Sequence, residues 1–106
     1  MLAKWNLAAA TLKDFYVCAA TTRMVGEVSF TNTTVSDIKV RLAIKQGAGS
    51  PTVANGEFLE YDTAVGASGV KGNGPLTRSV VLLPGQILWA YSDVANVNVS
   101  LIGIEE

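Results

Sequence analysis

The final stretch, Leu82-Leu83-Pro84-Gly85-Gln86-Ile87-Leu88-Trp89-Ala90-Tyr91-Ser92-Asp93-Val94-Ala95-Asn96-Val97-Asn98-Val99-Ser100-Leu101-Ile102-Gly103-Ile104-Glu105-Glu106, decides the fold class. It reads as a proline-glycine turn, a strand, a polar turn around 92–96 and a last strand that runs almost to Glu106. No catalytic motif lies in it. Because so little chain follows the last strand, any segment that reaches for a partner is expected at the N-terminus or in the loops.

Working outward, residues 76–83 precede the Pro84-Gly85 turn as another strand. Residues 12–18 and 22–31 are rich in aromatic and β-branched types, and the second alternates, with Met24, Gly26, Val28 and Phe30 against Val25, Glu27, Ser29 and Thr31. Asn32-Thr33-Thr34 supplies a turn, since Asn tolerates left-handed backbone and short hydroxyl side chains bond to the nearby chain. The clearest alternation follows: Ile38, Val40, Leu42 and Ile44 on one face, Lys39, Arg41, Ala43 and Lys45 on the other. A helix would scatter these apolar residues around its axis. Folding back about Thr33 is expected to bring Glu27 beside Lys39 as a cross-strand charge pair.

Residues 57–65 read as a strand that buries Leu59, Tyr61 and Val65 while Glu60 and Asp62 face water. Two glycine-containing loops flank it: one from Gln46 to Gly56, the longest connection and the expected mobile one, and one at 66–75. With residues 86–92 and 96–104 the count is seven strands, and an eighth candidate lies near Trp5. Short strands separated by Gly, Pro and Asn turns predict an all-β fold, an antiparallel β-sandwich of jelly-roll type with seven or eight strands. Residues 1–10 are expected to form an N-terminal arm and residues 11–106 the single sandwich domain. The one place for a helix is Trp5 to Leu12, where Ala8, Ala9 and Ala10 favour it.

Composition narrows the function classes. At 106 residues the chain makes one domain, which buries about two-thirds of its unfolded surface. Hydrophobic residues make up 49% and charged residues 16%, leaving few charges to cover a monomer, and such small domains often associate. A net charge of −1 argues against non-specific nucleic-acid binding, which needs a basic excess. No signal-peptide core or membrane span is expected. The single Cys18 reads as a small buried strand residue, and the fold must stand without an intrachain disulfide. Asn32-Thr33-Thr34 and Asn98-Val99-Ser100 match the glycosylation pattern but read as turn and strand residues.

The chain has no histidine, which removes the commonest general base and metal ligand and every histidine-activated nucleophile. Glu60 and Asp62 share a strand face, yet a glycosidase pair comes with a large cleft that a domain this small seldom forms. The glycine loops carry no acidic residue for calcium and no Walker-type phosphate cradle. No catalytic residue, cofactor or metal is expected. Trp89 and Tyr91 share a face without a basic residue in their strand, and read as inner-face core or subunit interface rather than a nucleic-acid platform.

The order of several elements resembles the small all-β virion proteins of tailed bacteriophages. The likeness rests on the turn Phe30-Thr31-Asn32-Thr33-Thr34, the alternating strand Ile38 to Ile44, the segment Leu59-Glu60-Tyr61-Asp62-Thr63, the turn Leu83-Pro84-Gly85-Gln86-Ile87 and the closing Gly103-Ile104-Glu105, and it spans most of residues 12–106. The chain departs from it at Cys18-Ala19-Ala20-Thr21-Thr22, where the family pattern has a Pro-Ala-Gly-type turn. The resemblance implies a non-enzymatic structural role in a virion assembled in the host bacterial cytoplasm. The expected role is a capsid decoration (cement) protein, with a neck, tail or baseplate subunit, or a carbohydrate- or receptor-binding module using Trp89 and Tyr91, as alternatives. Expected partners are the major capsid protein or other virion proteins and further copies of the chain, a trimer being favoured, with no nucleic acid and no membrane. Expected partner-binding residues are Leu2, Trp5 and Leu7 as arm anchors and Lys39, Arg41 and Lys45 as a basic stripe, with the two glycine loops as adaptable contacts.

Overall fold

Among the described residues eight strands form: β1 (Ala3–Leu7), β2 (Lys13–Val17), β3 (Met24–Asn32), β4 (Ile38–Gln46), β5 (Phe58–Val65), β6 (Leu76–Leu82), β7 (Gln86–Ser92) and β8 (Val97–Glu105). The computed structural model describes residues 1–67 and 74–106. Two four-stranded sheets result, β1-β8-β3-β6 (sheet A) and β2-β7-β4-β5 (sheet B), with every strand pairing antiparallel. The outermost strand pairs with the outermost at each level: β1 with β8, β2 with β7, β3 with β6, β4 with β5. This is one long hairpin rolled across two sheets, the eight-stranded jelly roll.

Only β4 and β5 are consecutive strands in the same sheet; every other connection changes sheet. The fold-back about Thr33 therefore does not form a hairpin, and Glu27 pairs with Ser79 and Ile102 rather than with Lys39. The cause is Asn32, buried at the end of β3. Its Nδ2 donates to the carbonyls of Ser36 (2.7 Å) and Val65 (3.1 Å), and its Oδ1 accepts from Thr34 N (2.9 Å) and Thr34 Oγ1 (2.7 Å). All its hydrogen-bonding capacity is spent on steering the chain from sheet A into sheet B.

The segment 1–10 is not an arm. β1 runs along β8 from Ala3↔Leu101 to Leu7↔Val97, and Leu7 is 1% exposed. The period-two contrast between buried Leu7 and polar neighbours is a strand signal that the three alanines obscure. Ala8–Ala10 form no helix; Ala10 adopts φ 52° and donates its N–H to the Ser92 carbonyl at 2.8 Å.

The core lies between the inner faces. Sheet A contributes Leu7, Met24, Val28, Phe30, Val80, Leu82, Val97, Val99 and Leu101; sheet B contributes Phe15, Ile38, Val40, Leu42, Val65, Leu88 and Ala90. Cys18 is buried with them as expected, but one residue past the end of β2 rather than within a strand. Inside sheet A, Gly26 faces Gly103, and a Cβ on Gly103 would stand 2.5 Å from the Val25 carbonyl and 2.7 Å from Gly26 Cα. The strands approach so closely there that only glycine fits. The Pro84-Gly85 turn is a type II turn, with Gly85 at φ 83° and Gln86 N bonded to Leu83 O at 3.1 Å.

Candidate functional site

A sandwich has two open sides, where sheet A and sheet B gape, and two outer faces. Both open sides are plugged by a cation. Between β1 and β2, the Lys13 ammonium sits 4.3 Å from the centre of the Trp5 ring. Between β6 and β5, Arg78 reaches from sheet A to Glu60 of sheet B at 3.4 Å. Trp5 thus closes the sandwich with part of its indole and leaves 48% of its surface exposed.

The outer face of sheet B carries the expected basic stripe, but its charge is largely neutralised. Arg41 Nε meets Asp62 Oδ1 at 2.7 Å, and its guanidinium lies between the rings of Tyr61 (4.2 Å) and Tyr91 (4.4 Å). Two bulges in β5 make this possible. Val40 opposes Thr63 and Leu42 opposes Glu60, so Tyr61 and Asp62 together stand against Arg41, with Asp62 at φ 52°. The bulge overturns part of the expected phase of β5: Tyr61 is exposed rather than buried and Glu60 turns toward Arg78, while Val65 is buried, Leu59 packs against the core and Asp62 is exposed as expected. The Arg41 hydrogen bond holds the Asp62 carboxyl below its ordinary pKa, against burial, with the Arg41 and Lys39 charges adding to it.

Lys45 pairs with Glu57 at 3.4 Å. Glu57 Oε1 also accepts Thr52 N at 2.8 Å, and these bonds, the backbone one first, lower its pKa against the effect of burial. Glu57 thereby pins the 47–56 loop, whose Pro51 is buried. Lys39 is exposed at the start of β4. The other glycine loop, 66–75, falls mostly outside the described residues.

Trp89 and Tyr91 are not inner-face core. Leu88, Ala90 and Ser92 take the buried phase of β7, which puts both aromatics on the outer face of sheet B, each half-buried. Trp89 stands opposite Ala43, which Phe58 flanks from β5. Its indole N–H is shut off from solvent without a partner.

The outer face of sheet A was not anticipated. Val25, Val81, Ile102 and Ile104 are 42% to 67% exposed. Registers place Ile104, Val25 and Val81 in one row across β8, β3 and β6, and Ile102, Glu27 and Ser79 in the next. Further along, Ser100, Ser29 and Thr77 form a polar row that Lys4 joins from β1. Where β1 and β8 meet, an open groove of about 670 Å³ is lined by Met1, Lys4, Trp5, Asn6, Asn98 and Ser100, with Val99 beneath. Asn6 Nδ2 donates to Asn98 Oδ1 there at 3.1 Å. Signals in the sequence were available: Val25 shares its strand phase with Glu27 and Ser29, and Ile102 and Ile104 share theirs with Asn98 and Ser100, so large aliphatics stand on otherwise polar strand faces.

Of the expected binding residues, Trp5 and Lys39 are exposed, Arg41 and Lys45 are committed to Asp62 and Glu57, Leu2 packs against the core and Leu7 lies inside it. Leu7 is withdrawn as an anchor because a residue 1% exposed has no surface to offer. Among the described residues no group of three or more His, Cys, Asp or Glu side chains could hold a metal ion, and no helix is long and apolar enough to cross a membrane. Comparison with protein-family models, with curated proteins and with solved structures finds no match to this chain.

Proposed function

We propose that this chain is a non-enzymatic structural subunit of a tailed-phage particle, a decoration protein that binds the outside of the head lattice and ties its subunits together. The observation that carries the reading is the uncovered aliphatic strip Val25, Val81, Ile102 and Ile104 on a rigid sheet face. A fold that plugs both its open sides yet leaves four large aliphatics in rows on one face has a surface suited to being covered by protein. The jelly roll supports the same reading, because each of its two four-stranded sheets presents a broad outer face. Its mechanism is mechanical: apolar area buried across a joint between subunits must be exposed again before the joint opens.

The test uses heads of the phage that encodes the chain, prepared without it. Purified protein added back is expected to co-sediment with the heads and to raise the temperature at which they release DNA. Protein that stays in the supernatant at every concentration contradicts the reading, and protein that sediments only with tails favours a neck or tail subunit.

One observation favours a second reading, a carbohydrate- or receptor-binding module. Trp89, Tyr91 and Tyr61 all lie on the outer face of sheet B around Arg41, an arrangement on which a sugar ring could stack. Glycan-dependent quenching of tryptophan fluorescence, lost in Tyr91→Ala, supports it; an unchanged spectrum removes it.

A further inference from the structure

Each sheet ends in two edge strands, β1 and β6 in sheet A, β2 and β5 in sheet B. An edge leaves alternate backbone N–H and C=O groups unpaired, and folds blunt such edges with bulges, short strands or charge. Three of the four are blunted here. β2 is five residues long and its register slips between Asp14 and Tyr16. β5 is broken by its bulges, with Asp62 at φ 52°. β1 is five residues long, carries Lys4 and has the Lys13–Trp5 stack on its open side. β6 differs from them all. Its seven residues, Leu76-Thr77-Arg78-Ser79-Val80-Val81-Leu82, pair with β3 from Phe30↔Leu76 to Met24↔Leu82 without a shift. They include no proline or glycine, and Thr77, Val80 and Val81 are β-branched. Among the described residues, no backbone hydrogen bond meets β6 on the side away from β3. Its one charge, Arg78, leans across the gap to Glu60 Oε1 (3.4 Å) and the Leu59 carbonyl (3.5 Å), so that charge is met by sheet B.

A regular open edge of this kind accepts another strand, and the sequence of β6 fits a second copy of itself. We infer that β6 pairs antiparallel with β6 of a second copy about a two-fold axis at Ser79, joining the two A sheets into one of eight strands. A two-fold axis normal to the sheet keeps outer-face residues beside outer-face residues. Ser79 then faces its own counterpart, Thr77 faces Val81, Arg78 faces Val80 and Leu76 faces Leu82. No like charges meet across this joint, and its outer face consists of hydroxyl and β-branched side chains that pair well between strands. The neighbouring registers are worse: a slide of two residues one way sets the two Arg78 side chains face to face, and a slide the other way leaves Leu76 and Thr77 without partners. The aliphatic strip stays uncovered. Val25, Val81, Ile102 and Ile104 of both copies share the outer face of the joined sheet, so the pair presents two strips where one copy presents one, and two linked contacts hold more tightly than one. The pairing itself requires only the β6 edge and does not depend on what covers the strip.

The test joins light scattering after size exclusion with disulfide trapping, on the full chain, with far-UV circular dichroism on each variant to confirm folding. Wild type is expected at twice the 11.1 kDa chain mass. Ser79→Glu sets two carboxylates opposite one another on the axis and is expected to weaken pairing about tenfold or more. Ser79→Cys is expected to give a disulfide-linked dimer under mild oxidation, because directly opposite residues have Cβ atoms about 4.5–5.5 Å apart. Thr77→Cys alone is expected to stay unlinked, its counterpart lying roughly 14 Å away, whereas a mixture of Thr77→Cys and Val81→Cys is expected to link. Cys18 is buried, so wild type serves as the unlinked control. Wild type that stays monomeric at every concentration overturns the inference, as does a dimer that a folded Ser79→Glu leaves intact. Thr77→Cys linking to itself as readily as Ser79→Cys overturns the register, and this cysteine pattern decides alone if Ser79→Glu does not fold. A monomer that still co-sediments with heads overturns the pairing and leaves the decoration reading standing; a dimer that ignores heads does the reverse.

Discussion

Two residues show how differently a polar side chain can serve the same fold. Asn32 is buried and fully bonded, so Asn32→Leu would leave the Val65 and Ser36 carbonyls and the Thr34 N–H without it. That substitution is expected to cost about 2–4 kcal/mol, read as a lower denaturant midpoint with unchanged slope. Arg41 is partly exposed, its pair with Asp62 is worth little in water, and its two aromatic contacts add roughly 0.5–1 kcal/mol each. Arg41→Ala is therefore expected to cost only about 1–2 kcal/mol while freeing Tyr61 and Tyr91, which a rise in tyrosine solvent accessibility would register. Tyr16 gives a signature at alkaline pH. Its hydroxyl is shut off without a partner in hydrogen-bond geometry, and burial, followed by the neighbouring Glu105 carboxylate, pushes its pKa up to about 12. The unfolded chain loses this proton first, so the contribution is present below the ordinary tyrosine range and is lost as pH rises toward 12. Tyr16→Phe is expected to remove that alkaline loss, and an identical alkaline profile in the variant contradicts the assignment.

At the scale of elements, the strands were legible and their partners were not. Alternation at 24–31 and 38–45 gives β3 and β4 almost to the residue, because one face of each is buried and the period of two is enforced there. Three features broke the reading. β1 was legible only as an eighth candidate near Trp5, because its alternation of Ala3, Trp5 and Leu7 against Lys4 and Asn6 covers just five residues and runs into three alanines that favour a helix. The bulges in β5 were hidden because a bulge inserts a residue without changing composition, and it moved Tyr61 to the outside. The connection after Asn32 looked like a hairpin turn, since the same Asn-Thr chemistry serves a turn within one sheet and a change between two. The outer strip was hidden for a different reason: Val25 and Ile104 were legible as strand residues, but the sequence alone does not bring β3, β6 and β8 side by side. With β1 integral to sheet A, deleting residues 1–7 is expected to destabilise the whole domain, removing Leu7 from the core and uncovering β8. A truncated protein that melts with wild-type midpoint contradicts that. The glycine pair makes a second element-scale prediction. Gly103→Ala must push β3 and β8 apart, and a cost of about 1–3 kcal/mol is expected.

For the whole molecule, pH and surface decide behaviour. Asp62 and Glu57 both have depressed pKa values, so the unfolded chain binds their protons more readily. Their contribution is present above the ordinary carboxylate range and is lost as pH falls through the lowered folded values. Stability is expected to decline on acidification below about pH 4, and the double variant Asp62→Asn, Glu57→Gln is expected to flatten that decline in urea titrations. The proposed function lies in what the sheets present rather than in a cleft. Decoration of a head lattice is its central claim, and cryo-electron microscopy of the native particle tests it most directly. The account predicts density for this jelly roll at regular positions across the head surface, with the strip Val25, Val81, Ile102 and Ile104 covered by protein; particles whose heads lack such density, or a bound jelly roll with that strip facing solvent, would contradict it.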